Sequence, residues 1–253
     1  MNCRIMSSPL SPVIIIPARM AASRLPQKPL ADIAGKPMIQ HVWERAMAAD
    51  LAPVYVATDD RRIADVIEQA GGQAVLTRSD HPSGSDRIFE AVEKIDPNQR
   101  FQDILNLQGD LPDMPPELPH KLAACLDNSD CDLATLVTTA SDAEAAKPQI
   151  VKAVVSWAHS GFGEALYFSR AVVPTGEAER LHHIGVYGWR RAALARFVGL
   201  PPSPLEMAEK LEQLRALEAG MKIAVARITT APGGVDTEED LQEVRQRFAA
   251  SKN

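Results

Sequence analysis

The run Val13-Ile14-Ile15-Ile16, closed by Pro17, has no polar face, so a strand built from it must be covered on both sides, as in a parallel sheet layered between helices. A helical stretch follows over 38–49, where Ile39, Val42, Trp43 and Ala46 recur at i, i+3, i+4 and i+7 and Pro37 suits the first turn. Val54 to Ala57 reads as a second strand. Thr58-Asp59-Asp60 offers capping side chains to a helix over 61–70, which Gly71-Gly72 ends. Ala74 to Leu76 reads as a third strand, 86–94 as a helix, and 103–107 as another central strand that ends at Gln108-Gly109-Asp110. This alternation predicts an α/β fold with a doubly wound, mostly parallel sheet.

Pro112, Pro115, Pro116 and Pro119 blur the next boundary, although Leu118 and its neighbours keep helical character. Strands are expected at 133–138, 151–156, 164–168 and 185–189, close enough together for an antiparallel or mixed portion. Pro204 to Gly220 reads as one amphipathic helix with Leu205, Leu211, Leu214 and Leu217 on its apolar face. At 253 residues one core is the leading expectation: a tail over 1–12 and a single domain over 13–253. A formal charge of -6 gives no electrostatic reason to expect a nucleic-acid partner. Cys3, Cys125 and Cys131 have neither the number for a disulfide framework nor the spacing for zinc. No apolar run reaches the roughly 18 residues of a membrane span, and the first dozen residues lack a signal-peptide core, so a cytoplasmic chain without membrane insertion is expected.

The segment from Pro17 to Leu30 follows the first strand, where open α/β sheets bind ligands, and carries Arg19, Arg24 and Lys28 with no acid. Guanidinium forks and an ammonium on a small-residue loop suit a phosphate chain; solvated charges on an irregular loop are the plainer reading. Neither Gly-x-x-x-x-Gly-Lys-Ser/Thr nor Gly-x-Gly-x-x-Gly occurs, which argues against an ordinary NTPase or dehydrogenase. Asp110, beside a glycine at a strand end, and Asp236, in Gly233-Gly234-Val235-Asp236-Thr237 before a helix starting near Glu238, form a carboxylate pair suited to magnesium and triphosphate oxygens. A turn aspartate and a helix cap are the plainer readings of the two. His81-Pro82-Ser83-Gly84-Ser85-Asp86-Arg87 could read a pyrimidine edge through Ser83 and Ser85, or Ser85 could simply cap a helix.

Ile-Ile-Pro-Ala-Arg with Ser-Arg-Leu-Pro-x-Lys-Pro-Leu at 15–30, and Ile-Ala-Gly-Lys-Pro-Met-Ile at 33–39, resemble the opening of CMP-KDO synthetases (3-deoxy-manno-octulosonate cytidylyltransferases). Gln-Gly-Asp at 108–110, Leu-Tyr-Phe-Ser-Arg-Ala at 166–171, His-Ile-Gly-Val-Tyr-Gly at 183–188, Pro-Pro-Ser-Pro-Leu-Glu at 201–206, Glu-Lys-Leu-Glu-Gln-Leu-Arg-Ala-Leu-Glu at 209–218 and Gly-Val-Asp-Thr at 234–237 extend the likeness over about 13–245.

The resemblance implies a nucleotide-diphospho-sugar transferase fold with a small mixed-sheet part for sugar binding and dimerisation (131–224), the nucleotide part being 13–130 and 225–250. It also implies magnesium, a homodimer, and transfer of CMP from CTP to the acidic sugar KDO for lipopolysaccharide core synthesis. Arg19, Arg24 and Lys28 would hold phosphates, Asp110 and Asp236 the metal, and Ser83, Ser85 and Gln108 the nucleotide. Gln108, Arg170, His183, Tyr187, Glu212 and Gln213 would meet the sugar. Arg19, Lys28, Asp110 and Asp236 would be catalytic.

Leu111 departs from the Glu usual in that family after Gln-Gly-Asp, and the 172–181 segment is shorter than in several relatives. A cytidylyltransferase for 8-amino-KDO or sialate, or a silent nucleotide-binding module, are the alternatives.

Overall fold

The computed structural model describes residues 12–21, 25–158 and 161–250. Its first half follows the strand and helix rhythm of the sequence: β1 (Pro12–Ala18), the two-residue strands β2 (Asp32–Ile33) and β3 (Lys36–Pro37), α1 (Met38–Ala48), β4 (Val54–Thr58), α2 (Arg61–Gln69), β5 (Gln73–Leu76), α3 (Gly84–Ile95) and β6 (Asp103–Asn106). The second half comprises α4 (Glu117–Asp127), β7 (Leu133–Thr139), α5 (Asp142–Ala145), β8 (Lys152–Trp157), β9 (Phe162–Ser169), β10 (Leu181–Arg190), α6 (Arg191–Val198), α7 (Pro204–Glu209), α8 (Gln213–Glu218), β11 (Ile223–Arg227) and α9 (Glu238–Ala250).

Nine strands form one sheet in the order β5-β4-β1-β6-β10-β7-β11-β9-β8. The first four are mutually parallel, and β10 enters antiparallel to both β6 and β7. The strands of the sequence's second half therefore continue the same sheet as a mixed portion. Alternation along β1 sends Ile14 and Ile16 to one face with Ile39, Val42, Ile63 and Leu122, and Val13 and Ile15 to the other with Ile88, Val92, Leu194, Phe197 and Leu214. Each such buried aliphatic contributes roughly 1.5–3 kcal/mol, which accounts for the two-sided cover.

Local chemistry fixes the ends of these elements. Asp60 caps α2 by accepting from Arg62 N, as its place after a strand suggests. The stretch from Pro204 to Gly220 is two short helices rather than one. Lys210 takes a left-handed conformation (φ 58°) that ends α7, and the Glu206–Arg215 ion pair folds α7 back against α8. Leu205 is consequently exposed, whereas Leu211 and Leu214 are buried, and Gly220 (φ 69°) does end the second helix. Among the described residues no helix is long and apolar enough to cross a membrane. Cys125 and Cys131 are free thiols that burial pushes up to about 12 and about 11, so neither is a thiolate at neutral pH.

Candidate active site

The chain proceeds outward from β1 to β4 and β5, then returns to place β6 on the other side of β1. The carboxyl ends of β1 and β6 therefore flank a topological switch point, where open α/β sheets hold their ligands. A cavity of about 320 Å³ opens there, with Arg19, Lys28, Ser83, Gln108, Asp110 and Asp236 in its wall. Gly109 is required by close approach: a Cβ there would sit 2.7 Å from the Pro17 carbonyl oxygen. Arg24 lies outside the described residues.

Lys28 occupies the centre of this wall. Its Nζ donates to Asp110 Oδ2 (2.7 Å), the Val235 carbonyl (2.7 Å) and Asp236 Oδ1 (3.2 Å). Two carboxylates from opposite ends of the sequence thus converge on one cation. The joining contact is a backbone one, Val235 N–H donating to the Asp110 carbonyl at 3.0 Å. Below it, Val235 is fully buried with Leu25, Ile33, Met38, Leu241 and Val244, so α9 and the β2–β3 hairpin form the floor that carries Asp236. Asp240 completes this end by accepting from the backbone N–H groups of Asp236 and Thr237, leaving the Asp236 carboxylate to face Lys28. Leu111 is not part of the cavity wall and belongs to the buried cluster that holds Leu107 and Met114, so the acid usual in the resembling family has become a core side chain here.

The segment before α3 forms a second wall. Ser83, not Ser85, is its helix cap: Oγ accepts from Asp86 N and donates to Asp86 Oδ2 at 2.6 Å. Ser85 is buried in the first turn. Both hydroxyls face Glu212, in the link between α7 and α8. Burial raises the Glu212 pKa, the Ser83 and Ser85 hydroxyls and Arg215 opposing it, and Oε1 lacks a hydrogen-bond partner among the described residues. Tyr187 is raised well above its ordinary value, first by burial and then by the Glu212 charge. Its ring lies 5.6 Å from that of His183. Ser83, Ser85, Glu212, Tyr187 and His183 therefore form one connected line, with Gln213 buried at the start of α8. Arg170 is arranged differently, its guanidinium donating to the carbonyls of Glu209 (2.8 Å), Pro148 (3.2 Å) and Lys210 (3.2 Å).

A bulge in β10 between Ile184 and Tyr187 positions the His183–Tyr187 pair. The Thr135 hydroxyl fills it, 2.8 Å from the Val186 carbonyl. With its proton so committed, Thr135 Oγ1 accepts from His183 Nε2 at 3.0 Å, which assigns the ring proton to Nε2. Burial pushes the His183 pKa down to about 3, and His182 acts in the same direction. The folded state thus resists a proton that the unfolded chain takes up near 6.5. Stability from this group is complete above pH 6.5 and falls as pH drops toward 3. A His183→Gln variant is expected to lose about 2 kcal/mol less than wild type between pH 6.5 and 5, from about 1.4 kcal/mol per pH unit. Urea denaturation at the two pH values measures this.

Two residues of the cavity wall, Arg87 and His81, have no site assignment from the sequence. Arg87 is buried in α3, donates to Thr77 Oγ1 (2.6 Å) and Asp59 Oδ2 (3.3 Å), and lines the cavity. Asp59 in turn accepts from Met20 N (3.4 Å), tying the loop after β1 to α3. His81, also in the wall, pairs with Glu90. The sequence signal for Arg87 is a cation on the buried face of an amphipathic helix, a position that demands a partner.

A cationic loop, paired carboxylates and a hydroxyl-rich helix start, gathered at the switch point of an α/β sheet, define a nucleotidyltransferase. Residues 13–223 match the family described as Cytidylyltransferase, and the chain belongs to that family. A relative from Parvibaculum lavamentivorans, named 3-deoxy-manno-octulosonate cytidylyltransferase, is 54% identical over 239 residues, covering 94% of this chain and 93% of its own. One of the same name from Rhodospirillum centenum is 54% identical over 241 residues, covering 94% of each chain. A solved CMP:2-keto-3-deoxy-manno-octonic acid synthetase complexed with CTP superposes with a TM-score of 0.87 at 43% identity, covering 95% of this chain and 99% of that one.

Proposed function

We propose that this enzyme transfers the cytidylyl group of CTP to the anomeric 2-hydroxyl of 3-deoxy-D-manno-octulosonate, giving CMP-KDO and pyrophosphate. The observation that carries the reading is the convergence of Asp110 and Asp236 on the Lys28 ammonium at the switch point, in a chain 54% identical to relatives named for that reaction.

The donor set fits a divalent cation: two carboxylates and the Val235 carbonyl already hold a positive charge at one point, and all are hard oxygens. Asp110 and Asp236 would hold magnesium, which when bound polarises the α-phosphate and steadies the leaving group. Lys28 and Arg19, on one loop, neutralise phosphate oxygens and stabilise the charge that develops as pyrophosphate departs. Ser83, Ser85 and Gln108 orient the nucleotide. Glu212, Tyr187, His183 and Gln213 line up beside them to receive sugar hydroxyls, neutral His183 acting as a hydrogen-bond partner rather than a charge. Arg170 takes part through the backbone of the Glu209–Lys210 turn, which it holds against Pro148. No side chain need act as a dedicated base: as the 2-hydroxyl oxygen bonds to the α-phosphorus and the bond to pyrophosphate breaks, the hydroxyl proton passes to a phosphate oxygen or to water, and positioning and charge carry the rate.

In this reading residues 13–130 and 225–250 serve the nucleotide and 131–224 the sugar and the subunit contact of a cytoplasmic homodimer. Pyrophosphate release with CTP, magnesium and KDO, but little with 8-amino-KDO or sialic acid offered alone, is the expected result. Release with either analogue at the KDO rate would remove the assigned substrate, and no release with any sugar would remove the activity.

A further inference from the structure

Asp236 reaches Asp110 from a segment more than a hundred residues away, so something must set the distance between them. The Val235 N–H to Asp110 carbonyl contact is one link. A second lies three residues beyond Asp110 and three before Asp236: Asp113 Oδ1 accepts from Gly233 N–H at 3.1 Å. The two segments run past each other in opposite directions, and the two links fix both their spacing and their slide.

Asp113 is itself held from α9. Arg247 Nε and a terminal guanidinium nitrogen donate to Asp113 Oδ2 at 3.0 and 2.7 Å. Gly233 passes so close to this pair that a Cβ there would lie 2.4 Å from the Arg247 guanidinium and 3.2 Å from Asp113 Oδ2. The segment carrying Asp236 is therefore seated directly on the ion pair.

We propose that Asp113 and Arg247 are positioning residues that hold Asp236 at its working distance from Asp110 and so build the C-terminal helix into the active site. The inference rests on the reading of those two aspartates as metal ligands. The pair is partly exposed, Arg247 at 47% and Asp113 at 22%, so its contribution to folding is small. The helix has separate anchors: Leu241 and Val244 in the core, Phe248 edge-on to His41 at 4.7 Å, and Arg245 Nε donating to the Asp32 carbonyl at 2.8 Å. What the pair controls is geometry, and partners that orient metal-binding carboxylates change metal affinity by about 10–100-fold.

The test compares wild type with Asp113→Ala, Arg247→Ala, the double variant, Arg247→Lys and Asp236→Asn. The readouts are Mn²⁺ binding without nucleotide by electron paramagnetic resonance, amide hydrogen exchange over residues 233–237 in metal-free protein, and the magnesium concentration giving half-maximal pyrophosphate release. Each alanine variant is expected to bind Mn²⁺ about tenfold more weakly, with faster exchange at the Gly233 and Val235 amides and unchanged exchange in β6. The double variant should be no worse than the weaker single, and Arg247→Lys should recover part of the loss. Mn²⁺ binding within twofold of wild type in both single variants overturns the clamp, as does strict additivity in the double. If Asp236→Asn also binds Mn²⁺ as wild type does, the metal reading itself is lost. If Asp236→Asn alone weakens binding, only the clamp is lost.

Discussion

Asp110→Asn is expected to lower kcat about 10³-fold while leaving the protein folded, the upper end of what one preorganised charge contributes to a transition state. The substitution is isosteric and keeps the backbone carbonyl that accepts from Val235 N–H, so the Asp236 segment stays docked. What it removes is one of the two anionic oxygens facing Lys28. An amide oxygen still accepts a hydrogen bond, but it neither balances the ammonium nor holds magnesium with comparable strength. The loss should be partly recovered by raising magnesium, whereas raising KDO should recover nothing. Steady-state pyrophosphate release over a magnesium series separates the two. A kcat within tenfold of wild type at saturating metal would mean that Asp110 serves only to tether Lys28.

Much of this arrangement was legible because each piece lies at the end of a strand whose pattern is unambiguous. The β1 run places Arg19 and Lys28 after it, and the β6 run places Gln108 and Asp110. The expected extents agree with β1, β4, β5, β6 and α1 to α3 to within about two residues.

Where local pattern is a poor guide, long-range contacts decide. The break between α7 and α8 falls at Lys210, a residue type with no preference for left-handed backbone, and is enforced by an ion pair nine residues long in sequence. Asp59, Arg87, Asp113 and Arg247 escaped for the same reason. Each acts through a partner 28 to 134 residues away, and no spacing rule connects such pairs. The helix cap, read as an alternative for Ser85, falls at Ser83 instead, because both residue types can cap and it is Ser83 Oγ that accepts from Asp86 N while Ser85 is buried in the first turn. Arg170, which only the family resemblance assigns to the sugar, places its guanidinium on three backbone carbonyls in the fold, contacts that no local pattern announces.

Lys28→Ala should separate metal binding from catalysis. In the protein as it stands the ammonium satisfies Asp110, Asp236 and the Val235 carbonyl together, with only 16% of its side chain exposed. A divalent ion entering between the carboxylates competes with that charge. Removing the ammonium leaves two carboxylates without their shared counter-ion, and even in bulk water a unit charge about 4 Å away is worth about 1 kcal/mol. Mn²⁺ alone is therefore expected to bind about fivefold more tightly to Lys28→Ala than to wild type, whereas kcat for pyrophosphate release falls about 10²–10³-fold because the leaving phosphates lose their cation. Arg at this position should not restore the rate, since a planar fork cannot direct three donors from one nitrogen at three acceptors. Weaker Mn²⁺ binding in Lys28→Ala would show that the lysine organises the carboxylates rather than competing for them. A rate close to wild type would remove Lys28 from the chemistry and leave Arg19 as the cation that faces the phosphates.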